Sequence, residues 1–211
     1  LDTHKQLIES AYILHINGRH RKLMRSAMAV AKEVGTIISL DGGAQRYDED
    51  MKPITEASHI VIVARDYAEK YTGTTNLEDA CRIIHERGAF IAGVTDGANG
   101  SYFVWPDGTS YRCEPFSQAT VVDTTGAGDS FHGAFLYMLT KTLCKIADGT
   151  NTSTMNETSQ SLNAIDLLHS CAHEDLEKAA TFASAVAALN TQGIGGRSPL
   201  PSLEDIKALI G

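Results

Sequence analysis

Four short apolar runs alternate with amphipathic stretches, and this alternation limits the fold more than any other feature of the chain. Residues 11–16, 36–40, 59–64 and 89–95 read as strands. Between them, residues 21–34 place Met24, Ala27, Met28, Ala31 and Val34 on one helical face and stop at Gly35. A second helical stretch runs to Thr72 and closes at Gly73. Residues 76–87 turn Leu77, Ala80, Cys81 and Ile84 inward, with Gly88 as the C-cap. Strands that alternate with helices imply a mainly parallel sheet covered on both faces. Such sheets bind ligands at the carboxyl ends of their strands. Asn17, Asp41, Ala64 and Thr95 fall at those ends.

The pattern then changes. Residues 102–105 and 109–113 flank Pro106-Asp107-Gly108, a turn suited to a hairpin. Beyond it, Val121-Val122-Asp123 reads as a β-prone run leading into Thr124-Thr125-Gly126-Ala127-Gly128-Asp129. A helix follows, with Phe131, Ala134, Phe135, Met138 and Leu139 on one face. Gly126 and Gly128 let the backbone turn tightly and let an anion come close. The first amides of a helix lack intrahelical partners and sit at the positive end of its dipole. Gly126, Ala127 and Gly128 therefore form a cradle for a phosphate. A carboxylate beside a phosphate repels it, so Asp129 needs a task. It is either an acid placed in a first helical turn by the dipole or the acceptor of a proton from a hydroxyl attacking a phosphoryl group.

Residues 123–131, Asp-Thr-Thr-Gly-Ala-Gly-Asp-Ser-Phe, resemble the second signature of the pfkB/ribokinase family of carbohydrate kinases. The resemblance implies an α/β, ribokinase-like, doubly wound, mainly parallel sheet with helices on both faces. It implies ATP-dependent phosphorylation of a sugar hydroxyl. Asp129 matches the family's base and substrate contact, and Gly126, Ala127 and Gly128 match its anion hole. Asp123 and Thr125 match positions that help hold a monovalent cation, K⁺. The stretch Thr95-Asp96-Gly97-Ala98-Asn99-Gly100 resembles the Thr-x-Gly-x-x-Gly segment that lines the nucleotide, which assigns Thr95, Gly97 and Gly100 to ATP together with Thr125, Gly126 and Gly128. Residues 191–201 resemble the loop over adenine and the cation, where Asn190, Gly193 and Gly195 would offer backbone carbonyls.

Residues 13–19, Ile-Leu-His-Ile-Asn-Gly-Arg, look like a stretch of the ketohexokinase branch. Asn17 matches a position that approaches the sugar. His15 reads as a core histidine rather than a catalytic one, and Arg19 as either a phosphate-steering or a solvated side chain. Where many members carry Asn-x-x-Glu to organise Mg²⁺, this chain has Ala64-Arg65-Asp66-Tyr67, and Asp66 is the candidate substitute. The family's first hundred or so residues have no counterpart. The expectation is thus the carboxyl-terminal two thirds of such a kinase, without the amino-terminal strands and lid, beginning at Leu1 rather than Met. Adenosine kinases share the signature, so a nucleoside acceptor and a non-catalytic nucleotide-binding module stay open beside the sugar kinase.

The 211 residues suffice for one domain, 1–211, and 43% hydrophobic with 21% charged residues is a globular composition. A net charge of −8 argues against nucleic acid as a partner. No apolar run is long enough to span a membrane. Cys81, Cys113, Cys144 and Cys171 are scattered without a Cys-x-x-Cys pair, which suits free thiols in a cytoplasmic protein. Residues 148–163 are rich in Asn, Ser and Thr and read as an exposed, flexible insertion. A homodimer of the full-length protein is a further expectation. Ser202-Leu203-Glu204-Asp205 opens the last helix with a capping box.

Overall fold

Strands β1 (Ile13–Ile16), β2 (Ile37–Gly42), β3 (Ile60–Ala64), β4 (Ile91–Thr95), β5 (Ser101–Val104) and β6 (Ser110–Cys113) form one six-stranded sheet in sequential order. This is a computed structural model, and it describes residues 2–116, 121–152, 163–197 and 200–211. The first four strands are parallel; β5 and β6 add an antiparallel hairpin. Helices α1 (Asp2–Glu9), α2 (Arg21–Val34), α3 (Lys52–Glu56), α4 (Arg65–Thr72) and α5 (Leu77–Glu86) belong to the parallel half. Helices α6 (Ala127–Thr152), α7 (Ala164–His169), α8 (His173–Asn190) and α9 (Leu203–Ile210) follow the hairpin.

Parallel neighbours joined in sequential order by right-handed crossovers must place their helices on one face. The burial pattern obeys this. Ile38, Leu40, Val61, Val63, Ala92, Val94 and Val104 share a core with Met24, Met28, Tyr67, Leu77 and Ile84 of the crossover helices. The alternate strand residues Ile37, Ile60, Ile62, Ile91 and Phe103 pack instead with Phe135, Leu139, Leu168, Leu176 and Ala183 of the later helices. The two-residue period of a strand thus sorts one sheet into two cores. Both faces are covered, as the alternation requires.

Local signals account for the helix ends. Gly35 (φ 74°) and Gly73 (φ 81°) close α2 and α4 in the left-handed conformation, each donating its N–H to the preceding turn. Asn76 caps α5 through its side chain, and Ser202 with Asp205 forms the capping box of α9.

Two segments differ from the sequence reading. Residues 121–124 form no strand. The N–H groups of Val122 and Asp123 both donate to the Thr191 carbonyl, at 2.8 and 3.1 Å, so a loop rather than a ladder uses them. Helix α6 also continues through 148–152, because each added residue gains a hydrogen bond once a helix exists. Asn163 caps α7. The rest of the expected insertion lies outside the described residues.

Candidate active site

The signature turn is built by glycine where geometry demands it. Gly126 has φ 82°, and a Cβ there would stand 2.4 Å from the Cα of Gly196. The turn and the loop after α8 therefore touch backbone to backbone. Asp123 secures the same contact: one carboxylate oxygen accepts the Thr125 N–H at 2.9 Å, the other the Gly195 N–H at 2.9 Å. These bonds hold its carboxyl below the usual range. Asp123, Thr125, Gly126, Gly195 and Gly196 thus meet in one place, with Gly193 in the same loop. Gly196 was not singled out from sequence, and only its position in a glycine run pointed to it.

Helix α6 begins at Ala127. Ala127 N–H donates to Thr124 O at 3.2 Å and Ser130 N–H to Gly126 O at 2.8 Å. The Gly128 N–H has no partner among the described residues, and a Cβ at Gly128 would meet nothing within 4 Å. A free amide thus faces open space at the positive end of a 26-residue helix. Asp129, next in line, is exposed and takes part in no ion pair among the described residues.

Asn190, at the end of α8, is fully buried, and neither its Oδ1 nor its Nδ2 has a hydrogen-bond partner among the described residues. Such a group normally calls for a water or an ion.

The Thr95 segment lies at the carboxyl end of β4. Residues 97–99 form a single 3₁₀ turn, and Asp96 accepts Arg65 Nη2 at 2.6 Å and Asn99 Nδ2 at 3.0 Å. Gly100 (φ 86°) has a structural reason to be glycine, since a Cβ would lie 2.3 Å from Cys113 O. Gly97 (φ 52°) instead borders open space. Asp66 is engaged by the Gln45 N–H at 2.6 Å, which takes up part of the capacity that a substitute metal-organising acid would need. Among the described residues no group of three or more His, Cys, Asp or Glu is placed to hold a metal ion.

At the carboxyl ends of β1 and β2 lies a polar cluster that sequence reasoning left mostly unassigned. Asn17, just past β1, gives its carbonyl to Arg46 Nη1 at 3.2 Å. Arg46 also donates to Asp41 Oδ2 at 3.0 Å, and His132 Nε2 lies 3.3 Å from Asp41 Oδ1. Burial opposes the charge on Asp41, but the His132 hydrogen bond and the nearby His132 and Arg46 charges outweigh it and hold the carboxyl below its ordinary value. His132 is the third residue after Asp129 and shares its helical face. That spacing was the available signal. The expectation for His15 is corrected here: it is exposed, with Nδ1 3.2 Å from Ser39 Oγ and its ring centroid 5.5 Å from that of His132.

Comparison with known proteins places this geometry. The family model described as pfkB family carbohydrate kinase matches residues 1–203. The chain belongs to the pfkB carbohydrate kinase family. Its curated relatives include sugar and nucleoside kinases. A 5-dehydro-2-deoxygluconokinase of Shouchella clausii is 23% identical over 219 residues, covering 96% of this chain and 57% of the relative. A ribokinase of Arabidopsis thaliana, solved with ribose and ATP, superposes with a TM-score of 0.72 at 21% identity, covering 100% of this chain and 59% of that one. A Vibrio cholerae fructokinase, solved with fructose, ADP and a potassium ion, gives a TM-score of 0.70 at 21% identity, covering 95% and 61%. This pfkB chain therefore has the ribokinase-like fold and spans less than two thirds of the length of these relatives. Among its described residues no helix is long and apolar enough to cross a membrane.

Proposed function

We propose that this chain carries the nucleotide-binding and base-bearing part of an ATP-dependent kinase that phosphorylates a hydroxyl of a sugar or nucleoside. The observation that carries the reading is the exposed Asp129, without an ion pair among the described residues, directly after the Gly128 amide at the start of α6. In this reading the amides of Gly126 and Gly128 receive anionic phosphoryl oxygens, the expected Ala127 amide being already given to Thr124 O, and Asp129 accepts the proton of the attacking hydroxyl. Thr95, Gly97 and Thr125 line the nucleotide, with Gly100 shaping the turn that presents them. Asn17 and Asp129 face the acceptor. Mg²⁺ would offset phosphate charge; a mode with few protein ligands and several waters suits a site without a dense acidic cluster. The meeting of Asp123, Thr125 and Gly195, with Gly193 in the same loop and Asn190 at the helix end that precedes it, suits K⁺. Both Asp123 oxygens already accept an N–H, so carbonyls and the unpartnered Asn190 amide oxygen would supply most of the contacts.

The test is transfer of the ATP γ-phosphate to a panel of ketoses, aldoses and nucleosides. It is run on this chain and on a chain extended at its amino end to the length of the relatives. Turnover is expected in the longer chain. Asp129→Asn should leave ATP affinity unchanged and lower kcat on the order of 10²- to 10⁴-fold. An unchanged kcat in that variant would remove Asp129 from its role. ATP binding without transfer by either chain would favour a nucleotide-binding module instead.

A further inference from the structure

The cluster beside Asp129 is wider than a single base needs. His15 presents its ring from the carboxyl end of β1, where the strand leaves it exposed. Two neighbours fix that ring. Ser39 Oγ sits 3.2 Å from Nδ1, so the ring cannot spin freely and Nε2 is left without a partner among the described residues. The His132 ring supports it at a centroid distance of 5.5 Å, tilted by 41°. His132, 5% exposed, is itself fixed by Asp41, and Asp41 by Arg46. The shared helical face of Asp129 and His132 brings the same cluster under the acid, and the Asp129 charge acts on His15. Contacts thus run from Arg46 through Asp41 and His132 to the His15 ring, which Ser39 holds separately at Nδ1, and Nε2 has no partner among the described residues.

We propose that His15 is a second acceptor-contacting side chain, whose free Nε2 hydrogen-bonds a further hydroxyl of the polyhydroxy molecule that Asp129 deprotonates, with Ser39, His132 and Asp41 as positioning residues behind it. The proposal deepens the kinase reading and depends on it. A fixed neutral imidazole suits this task, because it exchanges hydrogen bonds with hydroxyls without adding charge beside the phosphate cradle. The surroundings favour the neutral ring. Partial desolvation of the ring by its neighbours, in a residue that is exposed as a whole, and the adjacent His132 charge push the His15 pKa below its ordinary value, against the opposing charges of Asp41 and Asp129. These groups, with Arg46 behind Asp41, are the charged neighbours.

Two measurements test it. Imidazole resonances of the chain, assigned with His15→Gln, are titrated with pH in the native protein and in Asp129→Asn. Asp129 is exposed, so its variant folds. Removing its negative charge should move the His15 midpoint further down, and an unmoved midpoint would show that the two side chains do not share a site. Steady-state kinetics of the extended chain form the second arm. His15→Ala should raise KM for the phosphorylated acceptor about 3- to 10-fold, the range for one lost neutral hydrogen bond, with the ATP KM unchanged. His15→Gln should recover part of it, which a purely structural role would not predict. An unchanged acceptor KM in His15→Ala overturns the proposal. The kinase reading fails separately, by absence of transfer to every acceptor while the His15 midpoint still responds to Asp129.

Discussion

At the scale of single residues, two glycines of the signature have different reasons to be glycine, and substitution separates them. Gly126 combines φ 82° with a would-be Cβ 2.4 Å from backbone that cannot swing away. Gly126→Ala should destabilise the fold by about 2 to 4 kcal/mol, adding left-handed strain to overpacking. It should also weaken ATP binding, since the turn must open. Gly128→Ala meets nothing and leaves its backbone unstrained. Its stability should stay within about 0.5 kcal/mol. Its ATP affinity should still fall about tenfold, because the new methyl stands in the open space beside an amide that has no partner among the described residues. Denaturant unfolding and ATP titration of both variants check this; equal losses of stability would contradict the distinction. The sequence displayed both glycines in one motif but not their different neighbours. Gly196, which makes Gly126 obligatory, lies 70 positions away, and no local pattern announces a backbone contact at that separation.

At the scale of elements, the legible parts were those governed by local chemistry. The helix α2 was readable from Arg21 to Val34 because its apolar period and its closing Gly35 agree. The hairpin was readable because Gly108 (φ 85°) supplies the turn and its N–H bonds Trp105 O at 2.9 Å. Residues 121–124 were misread because Val-Val is β-prone wherever it occurs, whereas the partner that decides its fate, Thr191 O, comes from the end of α8. His15 was misread for a related reason: an apolar run implies burial on both sides, and an edge strand is not buried on both sides. The join between α6 and the loop after α8 yields its own prediction. Asp123→Ala leaves the Thr125 and Gly195 N–H groups without their acceptor, while the α6–α8 core around Phe135, Leu139 and Ala183 stays closed. Amide exchange over residues 191–197 should accelerate about tenfold with little change at the middle of α8. The native tie should show the matching pH response. A carboxyl held below its ordinary value contributes stability above about pH 4 and loses it as pH falls through the lowered value. Exchange that is unchanged in Asp123→Ala would mean that the loop is held by its other contacts alone.

At the scale of the whole molecule, one sheet carries two cores, and two histidines, one on β1 and one just before β3, make its stability depend on pH in the same direction. His59 stands before β3, at the amino end, and its Nδ1 accepts the Ile38 N–H at 2.9 Å. Burial, helped by the charge of Lys32, pushes its pKa below the ordinary value. His15, on β1, is exposed as a whole but is pushed the same way by partial desolvation of its ring and by His132. As pH falls through about 6.5, the unfolded chain takes up these protons before the folded one does. The stabilisation is therefore complete above that pH and is lost on the acid side, as pH drops through the folded values. His59 can contribute at most about 1.4 kcal/mol per pH unit while only the unfolded state is protonated, and the exposed His15 contributes less because solvent screens it. Protonation of His59 at Nδ1 additionally breaks the bond to Ile38, joining the loss of a β2 contact to the titration. The expected result is a Tm that declines from pH 7 to pH 5. His59→Asn keeps an acceptor for the Ile38 N–H but cannot titrate, and should flatten that decline. Combining it with His15→Gln should flatten it further, because His15 titrates in the same window from β1, two strands away. A Tm that is level from pH 7 to pH 5, or a slope untouched by His59→Asn, would place the acid sensitivity elsewhere, in carboxylates that titrate below this window.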